Sequence, residues 1–121
     1  MTVSDGTVHA KSLRVGESDD GTNAPAGDFT LSGGNVIVSS NLTVGTPLLS
    51  TGHVAIASGT FDITNAFGTA FLAIRAGDFT MNGGTLIADS LFITDANGSF
   101  TFNNGTIQAR ALNVANGTPK F

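Results

Sequence analysis

Four residues with chemistry in their side chains recur at near-regular intervals: Asp28, His53, Asp78 and Ser99, which lie 25, 25 and 21 residues apart. Each follows a glycine and precedes an apolar residue, in Gly27-Asp-Phe, Gly52-His-Val, Gly77-Asp-Phe and Gly98-Ser-Phe. If the chain stacks these units as parallel strands, neighbouring side chains stand about 5 Å apart. An Asp-His-Asp row at that spacing offers a metal site or an acid–base pair. The opposing reading is that His53 separates two carboxylates that would otherwise repel on a solvated face. A flat sheet face gives a substrate no concavity, so the second reading is expected.

Glu17, Asp19, Asp20 and Asn23 crowd one segment, and carboxylates with amides supply the hard oxygen ligands that Ca²⁺ takes. Their spacing is neither that of an EF-hand nor that of the nonapeptide Ca²⁺ repeat, so a solvated loop is expected and no cofactor. Asp62 and Asp89 are read as standing alone, with no Lys or Arg aligned beside them. Glycoside hydrolysis needs paired carboxylates, or a carboxylate with basic partners in a groove, and the chain is not expected to be an enzyme. Thr7, Thr60, Thr85 and Thr106 (with Asn35) form one outward row, and Thr30, Thr80 and Thr101 another. Such arrays on a flat solenoid face can bind ice. The rows are single and are interrupted by Asn35 and Ala55, so ordinary β-propensity and cross-strand hydrogen bonding explain them better.

These residues need elements to position them, and composition limits which elements. The chain has 121 residues, one domain's length. Charged residues are 12% and hydrophobic residues 40% of it, too little charge and too much apolar content for a disordered chain. Net charge is −4, and Lys11, Arg14, Arg75, Arg110 and Lys120 are scattered. Nucleic-acid binding needs a basic stripe that displaces counterions, and none is present. No apolar run approaches the roughly 20 residues of a membrane helix, so no membrane insertion is expected. Met1-Thr-Val-Ser-Asp-Gly carries neither a basic nor an apolar signal region. The absence of Cys excludes a disulfide framework and thiolate metal sites.

The organising feature is a repeat. Three segments align without a gap: Gly6-Thr-Val-His-Ala-Lys-Ser-Leu-Arg-Val15, Gly84-Thr-Leu-Ile-Ala-Asp-Ser-Leu-Phe-Ile93 and Gly105-Thr-Ile-Gln-Ala-Arg-Ala-Leu-Asn-Val114. Two more, from Gly34 to Val44 and from Gly59 to Ile74, fit with one insertion each. A second block (Gly27-Asp-Phe-Thr-Leu31, Gly52 to Ile56, Gly77 to Met81, Gly98 to Phe102) precedes the shared glycine. Each repeat holds three alternations of period two, the signature of half-buried strands. Their inward positions form six columns, and none of the 28 residues in them is polar. A strand of about five residues cannot bury its apolar face alone; three per repeat can close a coil whose equivalents stack at about 4.8 Å. The fold expected is therefore all-β: a right-handed parallel β-helix, a triangular β-solenoid of about five coils of 21–28 residues with three short strands each. As a single domain over 1–121, its coils fall near 1–26, 27–51, 52–76, 77–97 and 98–121. The shared glycine, at the corner where the first strand becomes the second, is expected to adopt positive φ or to admit close approach of the neighbouring coil.

The pattern Gly-Asp-Phe-Thr-x-x-Gly-Gly-Thr-x-x-Ala-x-Ser-Leu-x-Ile, followed by Asn-Gly, is that of residues 77–98. It resembles the Gly/Thr/Asn-rich β-helix repeats of bacterial autotransporter-passenger-type surface proteins and of other large exported repeat proteins, over essentially the whole chain. That resemblance implies a scaffold at the cell surface or outside the cell, without a shared catalytic motif. The chain departs from the family in showing no export signal and fewer coils than a complete passenger. Bactofilin-like cytoskeletal solenoids also polymerise through open ends, but their coils are shorter and lack the Phe-Thr pattern.

Insertions and ends are where such scaffolds interact. Segments 16–26 and 45–51 should lie side by side, offering Pro25 and Pro47, Leu48 and Leu49. Phe67 rides on a bulge at another corner, and outward Ile37, Ile87 and Phe92 add apolar surface. Bare strands around Met1, Val3 and Phe121 form a template for more of the same chain. The expectation is a structural module of an extracellular or surface fibre, stacked end to end with itself or with flanking coils. An adhesin-type module binding glycan or matrix through 16–26 and 45–51 is the alternative.

Overall fold

The computed structural model describes residues 1–16, 26–45, 51–93, 98–114 and 118–120. Within them lie ten strands: β1 (Thr2–Val3), β2 (Thr7–Val15), β3 (Ala26–Val44), β4 (Thr51–Ile63), β5 (Phe71–Ile74), β6 (Gly77–Met81), β7 (Thr85–Ile93), β8 (Gly98–Phe102), β9 (Thr106–Val114) and β10 (Thr118–Lys120). There is no helix among the described residues, hence none long and apolar enough to cross a membrane. Every strand pairing is parallel.

The protein is a parallel β-solenoid of about four turns. Its three faces are most easily followed by register. On the first face Val3, Leu31, Ile56, Met81 and Phe102 stand in line. On the second the line is Thr7, Asn35, Thr60, Thr85 and Thr106, and on the third Leu13, Leu42, Leu72, Leu91 and Leu112. Five expected coils and about four turns agree, because five rungs enclose four stacking steps. The expectation of three separate short strands per coil needs amendment. β3 runs unbroken through all three faces, and β2, β7 and β9 each span two. The corners are turned by register shifts, such as those between Ala10 and Ser12 and between Leu31 and Asn35, so the ladder need not stop.

The alternation in sequence becomes an apolar interior. Leu31, Val36, Val38, Leu42, Val44, Ile56, Ile63, Leu72, Ile74, Phe79, Met81, Ile93 and Phe100 have no solvent exposure. Phenylalanine rings run through the core in sequence: Phe29 meets Phe61 edge-on at 5.6 Å, Phe61 meets Phe79 at 6.4 Å, and Phe79 stacks on Phe100 at 5.3 Å. Contacts of this kind add about 0.5–1.5 kcal/mol each beyond the area they bury. Outward Phe71 and Phe92 shield each other at 5.7 Å. Phe92 is accordingly half-buried, and Ile37 and Ile87 are half-buried as well.

The shared glycine behaves as expected. Gly84 has φ +77°, and a Cβ there would lie 2.6 Å from the Gly59 carbonyl oxygen and 3.0 Å from Ile56 Cγ2. Both conformation and space therefore demand glycine. Gly6 differs in one respect. Its φ is +82°, but a Cβ there would meet nothing within 4 Å.

Candidate functional site

The Asp28 row is assembled as its spacing suggests. Asp28 registers with His53, His53 with Asp78, and Asp78 with Ser99. His53 Nδ1 and Asp78 Oδ1 are hydrogen-bonded; a carboxylate accepts, so the proton is on Nδ1. Asp78 Oδ2 also accepts from the Thr80 hydroxyl at 3.3 Å. The side chains of His53 and Asp78 are 49% and 38% exposed. Ser99 lies on the far side of Asp78 from the imidazole, two rungs or about 10 Å away, and its hydroxyl donates to the Gly77 carbonyl at 3.4 Å. Histidine therefore cannot activate this serine, and the row makes a hydrogen-bonded pair on an open face. No three His, Cys, Asp or Glu residues among those described could hold a metal ion together. Glu17, Asp19, Asp20 and Asn23 lie outside the described residues.

The second cluster was missed by the reading that left Asp89 alone. Asp89 is 3% exposed. Its Oδ2 accepts the backbone N–H of Asn65 at 3.0 Å and of Ala70 at 3.3 Å. Arg110, one rung along, holds Nε 3.8 Å from Asp89 Oδ1. The gapless alignment already placed these two in one slot, between Ala88 and Ser90 in one repeat and between Ala109 and Ala111 in the next. A buried carboxylate needs such partners, and removing one leaves a costly unpaired charge.

Asp89 pins both ends of the bulge 65–70, and Asn65 organises its middle. Asn65 Oδ1 accepts from the N–H groups of Phe67 and Thr69, both at 3.0 Å. Asn65 Nδ2 donates to the Ser39 carbonyl at 3.1 Å and to the Thr69 hydroxyl at 2.9 Å. The result is an ordered bulge that holds Phe67 outward, 87% exposed. Beside it opens a cleft of about 540 Å³ lined by Thr64, Asn65, Ile87, Asp89, Gln108 and Arg110. Asp89 is committed to the bulge's N–H groups, so its role there is to hold backbone. Asp62 accepts from the Thr64 hydroxyl at 2.5 Å on the same face.

The threonine rows align as read, Thr7-Asn35-Thr60-Thr85-Thr106 and Thr30-Ala55-Thr80-Thr101. Of the proposed contact loops, Pro25, Pro47, Leu48 and Leu49 lie outside the described residues. Their flanks are neighbours: Gly45 N–H donates to the Val15 carbonyl at 2.8 Å, and Ala26 registers with Thr51.

The ends are unlike one another. Met1 is 64% exposed; Val3 is 5% exposed and points into the core, and its strand β1 is paired only with β3 among the described residues. Phe121 lies outside the described residues. The chain returns to the first face near Pro119: β10 pairs with β8, with Pro119 opposite Phe100. On the other two faces β9 is paired only with β7 among the described residues. Leu112, in the inward column of Leu42, Leu72 and Leu91, is 54% exposed where those three are at most 1%. No protein-family model, curated protein or solved structure matches this chain.

Proposed function

We propose that the chain is a structural β-solenoid module of an extracellular or surface fibre, extended by strand stacking at its ends. The observation that supports this most is Leu112. An inward-column leucine left 54% exposed has one obvious complement, another coil of the same type. The first repeat supplies it: Gly6-Thr-Val-His-Ala-Lys-Ser-Leu-Arg-Val15 can lie on Gly105-Thr-Ile-Gln-Ala-Arg-Ala-Leu-Asn-Val114 with every inward residue apolar on both sides. Parallel edges with unpaired backbone groups are a template for such pairing, and stacked coils bury a continuous core. One opposition works against it: Lys11 falls in the slot of Arg110. Salt should therefore favour assembly by screening that repulsion.

Light scattering and electron microscopy over a concentration series test the reading. End-to-end oligomers or filaments should form with rising concentration and salt, and Leu112→Glu should suppress them. A sharp monomer at high concentration, both in the whole chain and after removal of residues 118–121, overturns it.

A further inference from the structure

The two ends of the solenoid carry strands that belong in the same place. β1 lies on the first face immediately before the rung of β2, and β10 lies on that face immediately after the rung of β9. Suppose β2 of one copy stacks on β9 of another, as the proposed function requires. The β1 of the incoming copy, which precedes its β2, must then sit directly on β8 of the first copy. That position is already taken by β10, with Thr118, Pro119 and Lys120 opposite Ser99, Phe100 and Thr101. We infer that β10 is a competitive cap: it and the β1 of a second copy exclude each other, and fibre growth requires one to displace the other.

The exposure of the last rung fits this division. Phe100, beneath β10, has no exposure, whereas Leu112, with no described strand over it, is 54% exposed. β10 covers one face of three; over the other two no described strand lies beyond β9, and there a second copy first lands. β10 is also built to be displaced. It is three residues long, and its central Pro119 has no N–H for a ladder hydrogen bond. β1 brings Thr2 and Val3, and in its own coil Val3 is packed into the core at 5% exposure. Landing on two faces followed by exchange on the third gives assembly a barrier that the end surfaces alone would not produce.

This inference rests on the stacking reading, and a reversible lock separates the two. The chain has no cysteine, so Ser99→Cys with Thr118→Cys, at a registered pair, introduces a single possible disulfide. Adjacent parallel strands at about 4.8 Å lie within the Cα separation a disulfide spans. Oxidised, the bridge holds β10 in place; reduced, it releases it. The critical concentration for assembly, read by light scattering, should be roughly ten-fold or more higher in the oxidised form, the equivalent of about 1.4 kcal/mol. Deleting residues 118–121 should lower it below that of the whole chain. Equal assembly of oxidised and reduced forms, with the deletion also without effect, overturns the cap and leaves stacking intact. If no form assembles, the deletion included, the stacking reading falls and the cap with it.

Discussion

The coil that contains Leu91 and the coil that contains Leu112 are written in nearly the same residues. Ala88-Asp-Ser-Leu91 and Ala109-Arg-Ala-Leu112 occupy the same slots, and Ile107 repeats the place of Leu86. Yet Leu86 and Leu91 are each 1% exposed, while Ile107 is half-buried and Leu112 is 54% exposed. In a globular core, burial comes from elements on several sides. Here it comes from the coils above and below, so the outermost coil holds an inward-facing residue without an interior around it. One repeat sequence thus has two energetic meanings, set by its number of neighbours.

The glycine ladder should show this difference most strongly. In Gly84→Ala the new Cβ meets the Gly59 carbonyl at 2.6 Å, and backbone can yield only by parting the two coils. Positive-φ strain and overpacking together should cost about 3 kcal/mol or more. In Gly6→Ala only the strain remains, about 1–2 kcal/mol, because nothing lies within 4 Å. Urea denaturation of the two variants measures the gap. Equal losses would mean that strain alone sets the ladder and that coil spacing has slack. Gly6→Ala should also impair assembly out of proportion to its stability loss, since a docked coil would bring a carbonyl to the place that Gly59 holds over Gly84.

The leucine column gives a smaller contrast. Leu91→Ala removes a 1% exposed side chain and should cost about 2–5 kcal/mol, as buried leucines do. Leu112→Ala, at 54% exposure, should cost under about 1 kcal/mol in the monomer, since much of its surface already meets water. Thermal unfolding at a dilution where only monomer is present compares them. A Leu112 loss as large as that of Leu91 would show that a further strand already covers β9.

Much of this was legible in the residues, and the limits have physical causes. The inward columns and the corner glycines could be read because one rule, apolar in and glycine at the corner, repeats in every coil. The Asp28-His53-Asp78-Ser99 row followed from the same register. Asp89 was misread because its partners come from Asn65 and Ala70, inside an insertion that an alignment treats as a gap. Its tie to Arg110 crosses between repeats, so inspecting each strand separately overlooks it. Continuous strands such as β3 were hidden because Gly33-Gly34-Asn35, which reads as a break in sequence, lies inside the strand, where a register shift turns the corner and the ladder goes on.

The Asp-His row should prove the least sensitive part of the molecule, which sharpens the contrast between interior and face. The His53–Asp78 pair lies between rungs in the middle of the solenoid, where neighbours on both sides are fully formed, but its side chains are 49% and 38% exposed. Water competes for both groups, and pairs of this exposure contribute about 0.2–1 kcal/mol. His53→Ala also returns Asp28 and Asp78 to positions two rungs apart, about 10 Å, where water and salt screen most of their repulsion. The variant should therefore lose no more than about 1 kcal/mol in urea denaturation, with little dependence on ionic strength. A loss as large as that of Leu91→Ala, or one relieved by salt, would show that the imidazole holds the carboxylates apart at a cost the open face does not suggest, and the row would then have to be counted with the core.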